Sequence, residues 1–491
     1  MTRLCATLTE SSTNGMLEAM RNLPPEVDVA ELRLDHMEEM DVDRLCREKD
    51  RPIIATNRPT WEGGEWQGRE EERLNTLRQA AENGAEFVDV ELGSRKALGS
   101  VTGSARVIVS YHDFEGTPED LEDIHREIVS SGADVAKVAV RAEDIVETAR
   151  IFDLLRECGD QVPTIALSMG EEGLPTRVLA PKCGGFLSYA CPQTGKEAAP
   201  GQISCSDMVD LYHFSTIDPE TEVYGVAADP VAHSMSPAVH NAAFRECGIN
   251  AVYLPFKVAR PGPFLDAYEG LGLQGLSVTI PHKQAMMELM DEVEDTAAAL
   301  GAINTVSICG GTRYGYNTDQ KAAVDAIKEL VDESGLTPLG HCSAMIVGAG
   351  GAARAIAYGL SGEVDKLIVA NRTVSRAEEL AEELGARWCG LEEMSGYRPD
   401  VLVNATSVGM HPHVDCSPVP REMLRPGMAV FDSVYNPLRT KLLKEAAEAG
   451  AEVAGGLNWF VGQAAAQFKL WTGHRAPWSV MEETVRENLE G

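Results

Sequence analysis

Eight short apolar runs recur through the first 210 residues, each separated from the next by a helix-like stretch. They are LCATLTE from Leu4, VAELRLD from Val29, RPIIATNR from Arg51, FVDVEL from Phe87, RVIVSYH from Arg106, VAKVAV from Val135, TIALSMG from Thr164 and GFLSYAC from Gly185. Near-continuous apolar strands alternating with helices require a parallel sheet covered on its outer face. Eight such units predict an α/β fold that closes as a (β/α)8 barrel, in which functional groups gather at the C-terminal strand ends.

The chain has 491 residues, and a domain size of roughly 100–200 residues implies about three domains. Its net charge of −33 opposes a nucleic-acid-binding surface. With only 13 lysines, the acidic surface reads as that of a soluble enzyme, with adaptation to a salty cytoplasm as the alternative. No apolar run approaches the ~20 residues that span a bilayer, and the N-terminus carries no apolar signal core, so no membrane association is expected. Eleven scattered cysteines without a C-x-x-C pair suggest a reducing cytoplasm and neither a disulfide framework nor a metal site.

The polar stretch DLYHFSTIDPETE, from Asp210 to Glu222, reads as a connection between two enzymes. The domains expected are a barrel over 1–215, an α/β substrate domain over 222–336, a nucleotide-binding domain over 337–455 and C-terminal helices over 456–491 packing back on the substrate domain. In the third of these, GAGGAA (Gly348–Ala353) follows the apolar AMIV and opens a helix. That setting fits a Rossmann-type dinucleotide fold, with Gly348, Ala349, Gly350, Gly351 and Ala352 facing a pyrophosphate at the helix N-terminus. The next strand ends in Asn371-Arg372-Thr373, with Arg376 beyond, where an NAD site would hold an acidic residue. Two guanidiniums and no carboxylate favour the 2′-phosphate of NADP, although such a pair is also compatible with a surface helix start.

Reading the strand ends of the first half gives Glu31 and Arg33, Arg58 with Glu62 beyond it, Asp89 and Glu91, His112, Lys137 and Met169. Lys137 sits in VAKVAV among small apolar residues. Desolvation there would favour a neutral amine, the form that attacks a ketone to give a Schiff base. A lone strand lysine can equally reach solvent. His112, one strand earlier, is a candidate proton-transfer group.

Several motifs resemble those of type I 3-dehydroquinate dehydratase: ELRLD at Glu31–Asp35, R-x-x-x-EGGE at Arg58–Glu65, SYHDF at Ser110–Phe114, GADVAKVAV at Gly132–Val140 and APGQ at Ala199–Gln202. The resemblance implies an imine between Lys137 and the C3 ketone of 3-dehydroquinate, with His112 moving protons and Glu62 orienting it. It gives Glu31, Arg33 and Arg58 to substrate hydroxyls or carboxylate, Arg177 to the carboxylate, and Gln202 to a loop that closes the site. Ala198 stands where the family commonly has Ser.

The second half resembles shikimate dehydrogenase in DPVAHSMSPAVHN from Asp229, GLSVTIPHK from Gly275, GAINT from Gly301 and YNTD from Tyr316. NATSVGM from Asn404, VYNP from Val434 and GGLNWFVGQAAAQF from Gly455 complete the likeness. It implies that Ser234 and Ser236 hold the substrate carboxylate and that Thr279 adds a hydrogen bond. Asn304, Asp319 and Gln463 would grip ring hydroxyls, and Tyr435 would lie against the substrate. Lys283 and Asp319 form the implied catalytic pair for reduction of 3-dehydroshikimate by NADPH, and Asn404, Thr406 and Gly456 join the cofactor site. Quinate is the alternative substrate, disfavoured because Ser236 and Thr279 crowd the C1 region. Gln320 and Asn458-Trp459 depart from the family pattern at positions that carry no chemistry, with Trp459 a residue that could alter the nicotinamide pocket.

Overall fold

The computed structural model describes residues 1–158, 161–231 and 234–490. Ala232 and His233 of the DPVAHSMSPAVHN motif lie outside the described residues. The chain forms two compact units, Met1–Ala232 with Asn250–Leu273 and His233–Ile249 with Gln274–Gly491.

The eight apolar runs become eight strands: β1 (Arg3–Leu8), β2 (Val29–Arg33), β3 (Ile53–Thr56), β4 (Phe87–Glu91), β5 (Arg106–Asp113), β6 (Val135–Arg141), β7 (Thr164–Met169) and β8 (Leu187–Ala190). They pair in parallel in the order β7-β6-β5-β4-β3-β2-β1-β8. Phe186 N donates to Thr164 O at 2.9 Å, which brings the start of β8 to β7 and nearly closes the barrel. Side chains alternate across a strand, so residues two apart share a face. Cys5, Val29, Phe87, Ile108, Val135 and Leu187 belong to one buried apolar cluster. Two residues further along the same strands stand Thr7, Glu31, Asp89, Ser110, Lys137 and Tyr189, all buried. The register sets Glu91 opposite Ser110 and Ser110 opposite Lys137. An apolar floor therefore carries a layer of polar and charged groups.

The stretch Asp210–Glu222, expected as the connection between two enzymes, carries buried as well as exposed residues. Tyr212, Phe214 and Ile217 are buried, and short helical turns span Asp207–Leu211 and Phe214–Thr216. Its apolar residues, spaced among acidic ones, find cover in the barrel unit. That unit also takes in β9 (Glu222–Ala228), the parallel β10 (Ala251–Lys257) and the helix Pro261–Glu269. Tyr268 explains the grouping. It is fully buried, its ring lies 6.3 Å from Phe152, 5.1 Å from Phe256 and 4.8 Å from Phe264, and its hydroxyl meets Thr148 Oγ1 at 2.7 Å. Thr148 and Phe152 lie on the barrel helix Thr148–Cys158.

The second unit holds two sets of strands. β11 (Leu273–Val278) is antiparallel to β13 (Thr305–Cys309), which is antiparallel to β14 (Thr312–Tyr316), and β12 (Glu292–Val293) runs parallel to β14. A six-stranded parallel sheet comes next, in the order β17-β16-β15-β18-β19-β20, built from Arg387–Gly390, Lys366–Asn371, Ser343–Val347, Val401–Asn404, Ala429–Asp432 and Glu452–Ala454. It has the open doubly wound form of a dinucleotide-binding domain. The helix Leu457–Thr472 returns to the first strand set: Gln467 accepts from Ser277 Oγ at 2.8 Å, and Trp471 Nε1 donates to Val306 O at 2.9 Å; the helix Trp478–Glu490 packs against Leu457–Thr472. Among the described residues no helix is long and apolar enough to cross a membrane.

The buried tyrosine makes a stability prediction. Tyr268→Ala should destabilise the barrel unit by about 3–5 kcal/mol through the cavity it leaves. Tyr268→Phe should cost only about 1 kcal/mol for the lost hydrogen bond. Urea unfolding of the intact chain, followed at the barrel, measures both; identical curves for wild type and Tyr268→Ala would show that the barrel does not depend on this seam.

Candidate functional sites

All eight residues expected to serve the first half line one cavity of about 560 Å3 at the C-terminal strand ends: Glu31, Arg33, Arg58, Glu62, His112, Lys137, Arg177 and Gln202. Lys137 projects from β6, but not into an apolar setting. Its Nζ lies 2.8 Å from Asp89 Oδ2, 3.5 Å from Glu31 Oε1 and 4.4 Å from the centre of the Tyr189 ring. The strand neighbours of Lys137 are apolar, as its sequence shows; the groups across the barrel are not. Glu31 is itself fixed, accepting from Thr7 Oγ1 and Thr56 Oγ1 at 2.9 Å each.

Arg58 bridges the two carboxylates of β4. Its Nη2 donates to Asp89 Oδ1 at 2.8 Å and its Nη1 to Glu91 Oε1 at 2.7 Å. Burial alone would raise the Asp89 carboxyl, but Arg58 and Lys137 beside it hold it well below the usual carboxylate range. Arg73 completes the set, with Nη2 2.7 Å from Glu91 Oε2. Three cations, Arg58, Arg73 and Lys137, thus face three carboxylates, Glu31, Asp89 and Glu91.

Above this layer His112 Nδ1 meets Glu62 Oε2 at 2.9 Å. Burial, with Arg58 and Lys137 adding to it, lowers the His112 imidazole well below its ordinary value. Burial pushes Glu62 up to about 8 against the opposing charge of Arg58, with Glu91 and Asp89 reinforcing the rise. A neutral imidazole with a proton-sharing carboxyl behind it suits proton transfer near neutral pH. Gly63 lets the loop carrying Glu62 cross the site: its φ is +75°, and a Cβ there would come within 2.3 Å of the Phe114 ring.

Two side chains of the cavity keep buried polar atoms without a partner among the described residues. Arg177 is buried with Nε and Nη2 unpaired, and burial lowers it to about 10; the Tyr189 hydroxyl is likewise unpaired. A buried guanidinium left open in this way is a site for an anionic ligand group. Gln202 also lines the cavity, and its Oε1 accepts from Ala198 N at 2.8 Å.

In the second unit, Lys283 Nζ lies 2.6 Å from Asp319 Oδ2. Lys283 begins one helix and Asp319 sits in the first turn of another, Thr318–Glu333, capped by the Asn317 side chain. Both line a cavity of about 1240 Å3 together with Ala349, Gly350, Gly351 and Arg376. A Cβ at Gly350 or Gly351 would meet no protein atom within 4 Å, so the space over this strand-to-helix turn is open to a ligand. Gly348 is required for another reason: its φ is +123°, and a Cβ there would stand 2.9 Å from Ala405 O.

The remaining expected residues do not line that cavity. Several hold the walls instead. Asn304 donates to Thr318 Oγ1 at 2.9 Å and accepts from Thr305 Oγ1 at 2.7 Å. Asn404 donates to Asp432 Oδ1 at 2.8 Å and accepts from Thr406 Oγ1 at 2.7 Å. Gly456 passes so close to Ser433 O that a Cβ would stand 2.2 Å from it. Asn371 Nδ2 donates to Thr373 O at 2.9 Å, while Arg372 and Thr373 are exposed beside it. Tyr435 stacks on Phe460 at 4.6 Å, Gln463 donates to Phe460 O at 3.1 Å, and Ser236 N donates to Ser234 Oγ at 3.3 Å. Thr279 is half-buried one residue before the exposed Ile280. Trp459 donates from Nε1 to Asp319 O at 2.9 Å, a contact its sequence position does not suggest.

Comparison with known proteins agrees with this division. The chain is 39% identical over 509 aligned positions, 98% of its length and 84% of the relative's, to a chloroplastic bifunctional 3-dehydroquinate dehydratase/shikimate dehydrogenase of Arabidopsis thaliana. The chain belongs to the bifunctional 3-dehydroquinate dehydratase/shikimate dehydrogenase family. The family model for type I 3-dehydroquinase matches residues 4–219. Models for the shikimate dehydrogenase substrate binding domain, shikimate / quinate 5-dehydrogenase and the shikimate 5'-dehydrogenase C-terminal domain match 226–306, 331–429 and 456–486. A shikimate dehydrogenase (NADP(+)) of Methanopyrus kandleri is 47% identical over 56% of this chain and 98% of its own. A crystal structure of shikimate dehydrogenase in complex with NADP+ superposes with a TM-score of 0.52 at 38% identity, covering 56% of this chain and 97% of that one. The barrel is thus the dehydratase half, a lyase, and the remainder of the chain is the dehydrogenase half, an oxidoreductase.

The sequence places Asp89 and Glu91 only among the rim residues and gives no hint of Arg73. The first two are visible as paired acids at a strand end; Arg73, inside the charged helix sequence EEERLNTLRQ, carries no signal of burial.

The raised Glu62 gives a pH prediction for the dehydratase half. Between about 4.5 and about 8 the folded protein keeps a proton on Glu62 that the unfolded chain releases. The stability this group contributes is full below 4.5 and is lost as pH rises through 8. Glu62→Gln is uncharged throughout, so its stability relative to wild type should climb by ~5 kcal/mol across that window. Denaturation midpoints of the two proteins from pH 4 to pH 9 test this, and parallel profiles would rule out the raised carboxyl.

Proposed function

We propose that the two sites catalyse successive reactions, dehydration of 3-dehydroquinate through a Schiff base on Lys137 and reduction of the resulting 3-dehydroshikimate with NADPH. The observation that carries the first is the convergence of Lys137, His112–Glu62 and the unpaired Arg177 on one cavity. The amine of Lys137 adds to the C3 ketone and loses water, and the iminium withdraws electrons from the C2–H bond. His112 takes the C2 proton and returns it to the departing C1 hydroxyl, with Glu62 orienting the ring. Glu31, Arg33 and Arg58 meet hydroxyls or the carboxylate, Arg177 pairs with the carboxylate, and Gln202 covers the site. Hydrolysis of the imine frees Lys137.

The modules proposed are residues 1–215 for dehydration, 222–336 for the dehydrogenase substrate, 337–455 for the dinucleotide and 456–491 for the helices behind them. The open turn at Gly350–Gly351 and the basic edge at Arg376 fit a dinucleotide with a 2′-phosphate. Bound NADPH supplies the hydride; Lys283 supplies the proton to the developing alkoxide and is held by Asp319. Ser234, Ser236, Thr279, Asn304, Tyr435 and Gln463 would shape the substrate pocket, and Asn404, Thr406 and Gly456 the cofactor loop. The matching model names quinate beside shikimate. Shikimate is the preferred substrate in this proposal because of Ser236 and Thr279, to be judged by kcat/KM on both.

Purified protein given 3-dehydroquinate and NADPH should form shikimate, and borohydride added with 3-dehydroquinate should leave a covalent adduct on Lys137 by mass spectrometry. An adduct on another residue, or none, would remove the imine from the mechanism. Shikimate formed without a Lys137 adduct would leave both reactions standing and remove only the imine on Lys137.

Preference for NADP over NAD should be at least about tenfold in kcat/KM, from two exposed charge-assisted contacts on the 2′-phosphate. Changing Arg372 and Arg376 together to Ala should weaken NADP strongly and NAD little. A double variant that keeps the wild-type preference would move the 2′-phosphate elsewhere.

A further inference from the structure

Arg73 stands outside the expected catalytic set, on the helix Glu70–Glu82 that covers the barrel. It is nevertheless fully buried. Its Nη1 donates to Asn57 O at 2.7 Å, its Nε and Nη2 to the Glu70 carboxylate at 2.8 and 2.7 Å, and its Nη2 also lies 2.7 Å from Glu91 Oε2. From there an unbroken line of opposite charges runs inward. Glu91 Oε1 accepts from Arg58 at 2.7 Å, Asp89 Oδ1 accepts from Arg58 at 2.8 Å, and Asp89 Oδ2 accepts from Lys137 at 2.8 Å. Each acid is bridged by two cations, one on each oxygen.

We propose that Arg73 is a positioning residue for the dehydratase reaction, fixing through Glu91, Arg58 and Asp89 the place of the Lys137 amine and the separation of Arg58 from Glu62. This rests on the reading of Lys137 as the reacting lysine.

The physical argument is what Glu91 does without Arg73. Burial already raises the Glu91 carboxyl, opposed by Arg58 and Arg73. With one of those cations gone, the buried acid takes up a proton and releases its hold on Arg58 Nη1. That nitrogen stands 4.0 Å from Glu62 Oε2, the carboxylate behind His112. Arg58 then leans towards Glu62 and away from Asp89, and Asp89 keeps Lys137 as its one cation beside the hydrogen bond from Ser110 Oγ. The charged groups acting on Glu62 are Arg58, Glu91, Asp89 and Lys137. Two of these, Arg58 and Glu91, change in the direction that favours its ionised form: the cation approaches and the anion is neutralised. A helix residue that touches neither substrate nor His112 therefore sets both the amine and the proton-transfer pair.

Arg73→Gln in the full chain tests this, with urea unfolding followed at the barrel as the control for folding. Dehydratase kcat should fall by about tenfold or more while KM stays within about twofold, because the loss concerns positioning of reacting groups and not the binding surface. The ionisation of Glu62, near 8 in the wild type, should move to lower pH and carry the pH profile of kcat/KM with it. Arg73→Lys restores the charge and should recover most of both. Folded Arg73→Gln with wild-type kcat and an unmoved pH profile overturns the proposal, and so does a fall in kcat with an unmoved profile, which a merely structural role would give. Should Arg73→Gln not fold, Glu70→Gln loosens the same guanidinium from its half-exposed partner. A fall of about two- to threefold with the same shift in profile then supports the proposal, and wild-type kinetics overturns it. Borohydride trapping on the wild-type enzyme shows separately whether Lys137 reacts, so failure of that reading is distinguishable from failure of this one.

Discussion

A buried carboxylate held between two cations governs the barrel interior. Asp89 has no exposure, and each of its oxygens is taken, one by Arg58 and one by Lys137. Removing an ion from water costs several kcal/mol unless partners and hydrogen bonds replace the lost hydration. Such a layer therefore tolerates no unmatched member. Arg58 must meet Glu91, Glu91 must meet Arg73, and Lys137 must find Glu31 as well as Asp89. The apolar floor formed by Cys5, Val29, Phe87, Ile108, Val135 and Leu187 seals the layer from below. Arg177 lines the same cavity with two nitrogens unpaired.

The dehydrogenase half solves its problem differently. Lys283 is partly exposed and Asp319 buried at the edge of a cavity more than twice as large, where the two form a direct ion pair. Around them the work of orientation falls to neutral groups: Asn317 caps the Asp319 turn, Trp459 grips its carbonyl, and Gln467 ties Asn304 and Thr305 to the C-terminal helix. A dinucleotide needs room and an approachable backbone, which glycines and hydrogen-bonded loops provide. A small polyhydroxylated acid needs a tight, fully matched enclosure, which the barrel provides.

Much of this is legible in the residues alone. Eight apolar runs become eight strands because a barrel strand covered on both faces must be apolar nearly throughout. Strand-end residues mark the dehydratase cavity because alternation along a parallel barrel sends every second side chain inward. The G-x-G-x-x-A turn is readable because its neighbours are a strand and a helix. What stays hidden is long-range in space. Nothing local distinguishes Arg73 from Arg69 at the N-cap of its helix or Arg78 further along it; only the fold decides which of the three meets Glu91. The setting of Lys137 is misleading for the same reason, since its sequence neighbours are apolar and its spatial neighbours are charged. The stretch 210–222 resembles a linker because its acids outnumber its aromatic residues, yet Tyr212 and Phe214 are what pack.

The aromatic seam around Tyr268 bears on how such a protein can change over evolutionary time. Phe256, Phe264 and Tyr268 arise from the dehydrogenase half of the gene, and Phe152 and Thr148 from the dehydratase half, yet they share one dry interior. Separate genes cut at the connector would give two products, each with an uncovered aromatic patch and a tendency to stick to others of its kind. Joining two enzymes end to end is a single event; undoing it after such a seam has formed demands several compensating changes at once, so the fusion acts as a ratchet.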